Sequence, residues 1–326
     1  MPDEYRLLDS ARASTHNKPM LDQELPPGHR SGFVALAGQP NVGKSTLVNR
    51  LLQQQVAAVS PRPQTTRRKQ LGILTLPAAQ IIFVDTPGIH SPQHKLGEHM
   101  NLEAIETLSD VDLVLAIFDL TAPPSADDEQ LVARLREVQP APDVLAVLNK
   151  LDLVPSDRLP ERKAAYRTLL PDEAWIEISA MTGENVPLLL EKIVAALPEG
   201  PQYYPPDQIT DAYERDISAD LIRAAGMEFL QQEVPHSLAV RIDRFDERGE
   251  QGAYIQATLF VERDSQKGIV IGKGGSMLKR IGTRAREAIE AVTGRKVFLE
   301  LRVKVLPGWR NDENALKRFG FRTGKD

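Results

Sequence analysis

The sequence lacks cysteine, and it lacks any long hydrophobic run. Without cysteine there is no disulfide framework, no thiol nucleophile and no zinc site built on thiolates. No apolar segment approaches the roughly 20 residues that a membrane-spanning helix needs. The longest runs, 113–118 and 144–148, have the length of buried strands. Residues 1–30 carry scattered charges and no hydrophobic segment, so we expect a flexible tail and not a secretory signal.

Length and charge suggest two domains with different tasks. A chain of 326 residues exceeds the usual size of one hydrophobic core, and 41% hydrophobic residues exclude wholesale disorder. The net charge is −5, but residues 211–326 carry +3 and the remainder −8. Within 263–310, twelve Lys or Arg stand against four Asp or Glu. A basic block in an acidic protein indicates that one part meets a polyanion.

The order of predicted elements divides the chain. Between residues 31 and 197, continuous apolar strands alternate with helices, which predicts an α/β domain with a largely parallel sheet covered on both faces. Residues 198–206 contain four prolines and a glycine and cannot hold a regular helix. The order α-β-β-α-α-β then predicts a small α+β domain. We therefore divide the chain into a tail (1–30), an α/β domain (31–198), a linker (199–210) and an α+β domain with a C-terminal extension (211–326).

A phosphate-binding loop begins at Gly38, where the sequence matches G-x-x-x-x-G-K-[ST] between a predicted strand and a predicted helix. Successive backbone N–H groups of such a loop face phosphate oxygens, and the helix N-terminus adds positive potential. Lys44 would reach the β- and γ-phosphates, and Ser45 would ligate Mg²⁺. A chance match is the alternative, but three further motifs follow in order. The candidate residues are Gly38, Gln39, Pro40, Asn41, Val42, Gly43, Lys44, Ser45 and Thr46.

Two further motifs follow predicted buried strands. Asp85-Thr86-Pro87-Gly88 places an acid at a strand end, where it can hold Mg²⁺ through water, and a glycine N–H that can approach a γ-phosphate. Alone this pattern is a common turn. In 149–152, the Asp152 carboxylate can accept hydrogen bonds from N1–H and the 2-amino group of guanine, both of which adenine lacks.

Four more positions would complete the nucleotide site. Asn149 can brace the phosphate loop, and the aliphatic stem of Lys150 can cover the base. Ser179 and Ala180 end the next strand and are only consistent with this site.

A basic, proline-rich segment at 60–69 can supply a threonine to Mg²⁺ and the γ-phosphate in the triphosphate state. We favour Thr66 over Thr65, and an ordinary surface loop remains the alternative. The predicted metal ligands are Ser45, Thr66 and, through water, Asp85.

A second nucleic-acid signal lies at 270–281, where a G-x-x-G turn with a lysine insert joins two short predicted helices. Two glycines let the backbone approach a sugar-phosphate chain, and the lysine and the following helix N-terminus add positive potential. A helix–helix corner without a ligand is the alternative, which the basic block and the element order disfavour. The predicted RNA-binding residues are Ile271, Gly272, Lys273, Gly274, Gly275, Lys279 and Arg280.

On these motifs the sequence resembles the Era family of GTPases, in which a Ras-like GTPase domain precedes a type II KH RNA-binding domain. The resemblance covers about 31–320 and rests on GQPNVGKSTLVNRLL, PQTTR, DTPG, NKLD, SA and GIVIGKGGSMLKRIG. It implies a slow, Mg²⁺-dependent GTP hydrolase, cycling between GTP and GDP, that binds single-stranded small-subunit (16S) ribosomal RNA near its 3′ end and assists small-subunit assembly. It also implies a cytoplasmic protein with peripheral contact to the inner membrane, and no DNA partner.

One residue departs from Ras-type enzymes. Ile89, which we count with 85–88 among the candidate nucleotide-binding residues, stands where those enzymes carry a water-orienting glutamine, although the resemblance makes a hydrophobic residue usual here. We therefore name no catalytic base. We expect the switch to be transmitted to the KH domain across the linker.

Three rival functions remain open on the sequence. They are an RNA chaperone or scaffold in which nucleotide only stabilises the fold, a GTPase whose KH-like domain binds protein, and an ATP-using enzyme.

Overall fold

A computed structural model describes residues 25–59, 66–89, 92–170, 174–247 and 252–321. Most of the predicted tail, together with Thr65, lies outside the described residues.

The first domain is built on a six-stranded sheet with the strand order β2-β3-β1-β4-β5-β6. Within this sheet β2 runs antiparallel to its neighbour β3, to which it is joined by a short turn, and the other pairs are parallel. Parallel strands need crossover connections, and these are the helices. The strands are β1 (Arg30–Ala37), β2 (Gln70–Leu76), β3 (Ala79–Asp85), β4 (Leu113–Asp119), β5 (Asp143–Asn149) and β6 (Ala174–Glu177).

Helices cover both faces of this sheet, so its strands are apolar on both sides. In β1, Val34 and Leu36 face one hydrophobic cluster while Ala35 and Ala37 face the other. The first cluster is covered by α1 (Lys44–Leu52) and α5 (Val186–Ala196), and the second by α2 (Lys95–Leu108), α3 (Ala126–Glu137) and α4 (Leu159–Arg167). The predicted α/β fold class is confirmed.

The second domain is a three-stranded sheet in the order β7-β8-β9, with β7 antiparallel and β9 parallel to β8. Its helices pack on one face around Ile222, Ile255 and Ile281, all fully buried. The predicted α-β-β-α-α-β order is confirmed. The elements are α6 (Glu214–Phe229), β7 (Ala239–Glu247), β8 (Ala253–Val261), α7 (Asp264–Ile271), α8 (Ser276–Thr293) and β9 (Val297–Val305).

A C-terminal segment, 309–321, forms an element that periodicity did not predict. It contains a 3₁₀ turn (Trp309–Asn311) and α9 (Glu313–Arg318), a helix too short to show a hydrophobic repeat. The carboxylate of Asp312 caps α9 by accepting a hydrogen bond from the Ala315 N–H at 2.9 Å. This segment packs both on β8 and on α2 of the first domain, so one hydrophobic cluster spans the two domains.

The predicted linker lies along the first domain. The side-chain oxygen of Gln80 accepts hydrogen bonds from the Tyr203 and Tyr204 N–H groups at 2.7 and 3.0 Å, and the Ile73 N–H donates to the Ile209 carbonyl at 2.8 Å. The Thr210 hydroxyl donates to the Leu71 carbonyl at 2.7 Å. These bonds tie the linker to β2 and β3. No helix among the described residues is long and apolar enough to cross a membrane.

Candidate functional site

The phosphate-binding loop lies at the carboxyl edge of the parallel strands, between β1 and α1. Gly43 has φ of 104°, and a Cβ there would come within 2.2 Å of Asn149 Nδ2. Both the left-handed backbone and the close approach require glycine. Asn149 in turn donates to the Val42 carbonyl at 2.7 Å, so the loop is braced by the neighbouring strand end as predicted.

The three predicted metal-binding side chains lie together beside this loop. Ser45 Oγ donates to Asp85 Oδ2 at 2.7 Å, and Thr66 Oγ1 lies 3.1 Å from the same oxygen and 3.0 Å from Ser45 Oγ. The second Asp85 oxygen is buried and has no hydrogen-bond partner among the described residues. Oxygen ligands of this kind suit Mg²⁺, and the unpartnered oxygen fits a site completed by a cation and its waters.

Burial disfavours the charged forms of two side chains at this site, and a bound nucleotide and metal would favour them again. Burial lowers the pKa of the Lys44 ammonium to about 8, against the attraction of Asp85, and raises the pKa of the Asp85 carboxyl, against Lys44 and the two hydroxyls. Lys44 Nζ donates to the Gly38 and Gln39 carbonyls at 3.0 and 2.9 Å. Bound phosphates and Mg²⁺ would each favour the ionised form of these groups.

The segment after β3 closes over the phosphate loop. The buried Thr86 hydroxyl donates to the Leu36 carbonyl at 2.8 Å, and the Ile89 N–H donates to the Gly38 carbonyl at 3.3 Å. The Ile89 side chain is 4% exposed and belongs to the cluster between the sheet and α2. It cannot orient a water molecule, so no side chain at this position acts as a base.

The predicted base-binding residues meet at the ends of β5 and β6. The Asn149 side-chain oxygen accepts the Ala180 N–H at 2.9 Å, and the buried Ser179 hydroxyl donates to Asp152 Oδ1 at 2.5 Å. Asp152 itself is exposed, with its second oxygen available to a ligand. Lys150 Nζ pairs with Asp119 Oδ2 at 2.5 Å. Two strand ends therefore hold one oriented carboxylate, which suits recognition of guanine.

A groove of about 390 Å³ opens between α8 and β9 in the second domain. Its apolar lining comes from Leu278, Leu299 and Leu301, with Lys279 and Arg286 supplying positive charge. The remaining lining residues are small, which leaves the groove open: Gly275, Gly282 and Thr283. An apolar floor flanked by cations suits bases and phosphates of a single strand.

The G-x-x-G turn leads into this groove. Gly272 has φ of 73°, and a Cβ there would come within 2.7 Å of the Met277 backbone nitrogen. Gly275 has φ of 80°, but nothing lies within 4 Å of the position its Cβ would take. The left-handed backbone therefore favours glycine at both positions, the close approach of Met277 adds a steric reason at Gly272, and Gly275 also leaves space at the groove.

The predicted RNA-binding residues divide between the groove and its surroundings. Gly275 and Lys279 line it, whereas Ile271, Gly272, Lys273 and Gly274 belong to the preceding helix end and turn. Arg280 does not line the groove, because its guanidinium lies 4.5 Å from the Phe229 ring centroid on α6. Sequence reasoning counted Arg286 only among the cations near the turn and missed Gly282 and Thr283, although the spacing of all three from Gly275 and Lys279 follows one helix face. It also missed Leu299 and Leu301, which alternate along β9.

Comparison with known proteins agrees with this geometry. A family model described as 50S ribosome-binding GTPase matches residues 33–150, and a KH domain model matches residues 233–310. A crystal structure of Era in complex with MgGDPNP and nucleotides 1506–1542 of 16S ribosomal RNA is 37% identical, with 90% of this chain and 100% of that chain covered and a TM-score of 0.85. A substituted Era from Aquifex aeolicus bound to GDP and AlF4⁻ is also 37% identical over the same shares, with a TM-score of 0.84.

Fold and site define a P-loop GTPase domain joined to a nucleic-acid-binding KH domain. Identity and coverage over both domains then fix the family. The chain belongs to the Era family of GTPases.

Proposed function

We propose that this GTPase is a guanine-nucleotide switch that binds a single-stranded segment of 16S ribosomal RNA near its 3′ end and assists assembly of the small ribosomal subunit. The observation that carries the proposal is the pairing of two sites in one chain. A nucleotide site with its threonine at the metal position and a basic G-x-x-G groove both occur, in the arrangement of an Era crystallised with MgGDPNP and 16S RNA.

The chain's own residues supply binding and orientation at the nucleotide site. When bound, Mg²⁺ neutralises phosphate charge and joins the nucleotide to the protein. Ser45 and Thr66 would hold that ion directly and Asp85 through water, while Lys44 binds the phosphates and Asp152 selects guanine. Loss of the γ-phosphate would remove contacts that hold Thr66 at the metal position. The segment that follows Thr66 would then have two states, one with the γ-phosphate bound and one without it.

The groove explains why the RNA should be single-stranded. Its apolar residues can contact base faces only when bases are unstacked, and Lys279 and Arg286 lie where the backbone phosphates would pass. Arg286 is held by Glu290 at 3.2 Å, an ion pair that a phosphate could replace.

The proposal is tested by RNA affinity in the two nucleotide states. We expect the full chain to bind an oligoribonucleotide copy of the 16S 3′ end more tightly with a non-hydrolysable GTP analogue than with GDP, and to bind a scrambled oligoribonucleotide weakly in both states. Equal affinity in the two states would contradict a switch and leave an RNA scaffold that nucleotide stabilises. Crosslinking of the same oligoribonucleotide to the full chain would locate the RNA site. Crosslinks only to residues outside the groove would contradict the proposed site.

A small-subunit partner implies a cytoplasmic protein, and we propose this location together with peripheral membrane contact, which the family resemblance suggests. Fractionation of cells should place the chain with small-subunit particles, and with washed inner membranes to a lesser extent. Absence from both fractions would contradict the proposal.

A further inference from the structure

The segment that supplies Thr66 continues directly into the second domain. Arg67 is 4% exposed, and its guanidinium donates to the Leu238 carbonyl at 2.8 Å and the His236 carbonyl at 2.9 Å. These acceptors precede β7 of the KH domain. The guanidinium also lies 5.7 Å from the ring centroid of Trp309, in the C-terminal segment. A residue of the GTPase domain is therefore seated inside the KH domain.

The pocket that holds Arg67 is buried and is shared by both domains. Trp309 is fully buried, and its indole N–H donates to the Ser237 carbonyl at 2.9 Å, between the two carbonyls that Arg67 uses. Leu96 and Met100, from the helix that follows the Asp85–Ile89 segment, belong to the same hydrophobic cluster as Trp309. The C-terminal segment therefore contacts elements that follow both nucleotide-sensing loops.

The next residues continue along α6. Arg68 pairs with Asp216 at 3.6 Å, and Gln70 Nε2 donates to Asp220 Oδ2 at 2.6 Å. Since α6 packs on α8, which forms one wall of the RNA groove, this segment lies one helix away from that wall.

Geometry makes the two ends of this segment interdependent. Consecutive Cα atoms are about 3.8 Å apart, so a backbone displacement of Thr66 away from the metal position is transmitted to Arg67 unless the dihedral angles between the two residues change. A buried guanidinium that loses its acceptors is strongly disfavoured. The described residues of the linker, by contrast, form their hydrogen bonds to β2 and β3 and not to Thr66.

We infer that Arg67 is a positioning residue that couples the engagement of Thr66 at the metal site to the seating of the KH domain. The nucleotide state is then transmitted to the KH domain through Arg67 and Trp309. The sequence led us to expect transmission through the linker, which these contacts do not favour. This inference rests on the proposed function. Because coupling between sites is reciprocal, RNA bound to the KH domain should also tighten binding of the GTP analogue.

The test compares Arg67→Gln with Arg68→Gln, a matched change at the next residue, whose ion pair is partly exposed. The measured quantity is the RNA affinity with GTP analogue divided by that with GDP. We expect the wild type and Arg68→Gln to show a ratio of about 5 or more, within the usual range for coupled sites, and Arg67→Gln to approach 1. GDP affinity should stay unchanged in both variants.

The outcomes separate the two levels of the argument. A wild-type ratio of 1 would overturn both the proposed switch and this inference. A wild-type ratio above 1 that persists in Arg67→Gln would overturn the inference alone. Arg67→Lys keeps the charge but cannot bond both carbonyls in the same way, so it should also lose coupling and is the milder variant if Arg67→Gln fails to fold.

A second readout needs neither RNA nor hydrolysis. The chain has two tryptophans, so Trp175→Phe leaves Trp309 as the single fluorescent reporter. We expect its emission to differ between GDP and the Mg²⁺-loaded GTP analogue, and this difference to vanish in Arg67→Gln and in Thr66→Ala. Because Thr66→Ala leaves the KH seat intact, an undiminished difference in that variant would overturn the inference even if both Arg67 variants were unstable.

Discussion

At the residue scale, we expect one carboxylate to decide which base the nucleotide site accepts. Asp152 is held by the Ser179 hydroxyl at 2.5 Å while remaining exposed to a ligand. Hydrogen bonds to a charged group contribute about 1.5–3 kcal/mol each, and guanine offers two donors to this oxygen pair. Most of the base selectivity of the chain therefore resides in a single side chain.

We predict that Asp152→Asn weakens GDP binding by about 100-fold or more, because two charge-assisted hydrogen bonds are lost. Isothermal calorimetry would measure this. Asp157→Asn is the matched control, since Asp157 is 79% exposed and lies outside the site. Unchanged GDP affinity in Asp152→Asn would show that another group reads the base.

The protonation of Lys44 predicts a pH dependence of nucleotide binding. Burial lowers its pKa to about 8 in the free protein, and bound phosphates would restore the charge. Above pH 8 binding must therefore take up a proton at Lys44, and affinity for GDP should fall by up to about tenfold per pH unit. Below pH 7 Lys44 is already charged and contributes no such fall.

Calorimetry in two buffers with different ionisation enthalpies would check this linkage. We expect uptake of about three-quarters of a proton at pH 8.5 and close to none from Lys44 at pH 6.5. Identical heats in the two buffers at pH 8.5 would mean that Lys44 stays charged in the free site.

At the element scale, the two glycines of the G-x-x-G turn before α8 differ in the space that a side chain would find. A side chain at Gly272 would collide with the Met277 backbone, whereas one at Gly275 would meet open space beside the groove. Both positions have a positive φ and keep the turn, and Gly275 in addition keeps the ligand space.

We predict that Gly275→Asp reduces RNA affinity by about 10-fold or more, because a negative charge and a side chain enter the groove. GTP hydrolysis without RNA should be unchanged. The matched control is Gly294→Asp, directly after α8, where φ is likewise positive at 68°, a Cβ also meets nothing within 4 Å and no groove residue is involved. Equal loss of RNA binding in both variants, measured by fluorescence anisotropy, would point to general charge and not to the groove.

At the scale of the whole molecule, the two domains share a hydrophobic cluster as well as a chain connection. Leu96 and Met100 of α2 pack with Phe260, Trp309 and Leu316 of the second domain. Arg67 lies at the edge of this cluster over the Trp309 ring. The cluster fixes the relation between the nucleotide site and the RNA groove.

We predict that Met100→Ala destabilises the molecule by about 2–5 kcal/mol, since a fully buried side chain is removed from this cluster. Calorimetric unfolding should then resolve two transitions where the wild type is more cooperative. Met181→Ala is the control, because Met181 is 66% exposed in the first domain. A shift of similar size in both variants would show that the cluster does not join the domains.

Contiguous motifs were determined by the sequence alone. The phosphate loop and the G-x-x-G turn depend on backbone N–H groups, glycine conformations and a following helix, all encoded within about ten residues. The strand-end residues Asp85, Asn149 and Asp152 could also be placed, because parallel strands end at one edge of a sheet. Their predicted proximity is what the structure shows at the metal and base ends of the site.

Only the tertiary structure decided how these parts face one another. Nothing in the local pattern indicates that Arg67 lies beside residues 236–238 and Trp309, or that Arg280 turns to Phe229 and leaves Arg286 in the groove. Such contacts join residues far apart in the chain, and many partners satisfy the same hydrophobic and charge preferences. Packing of complete domains selects among them, and with it the route that joins the nucleotide to the RNA.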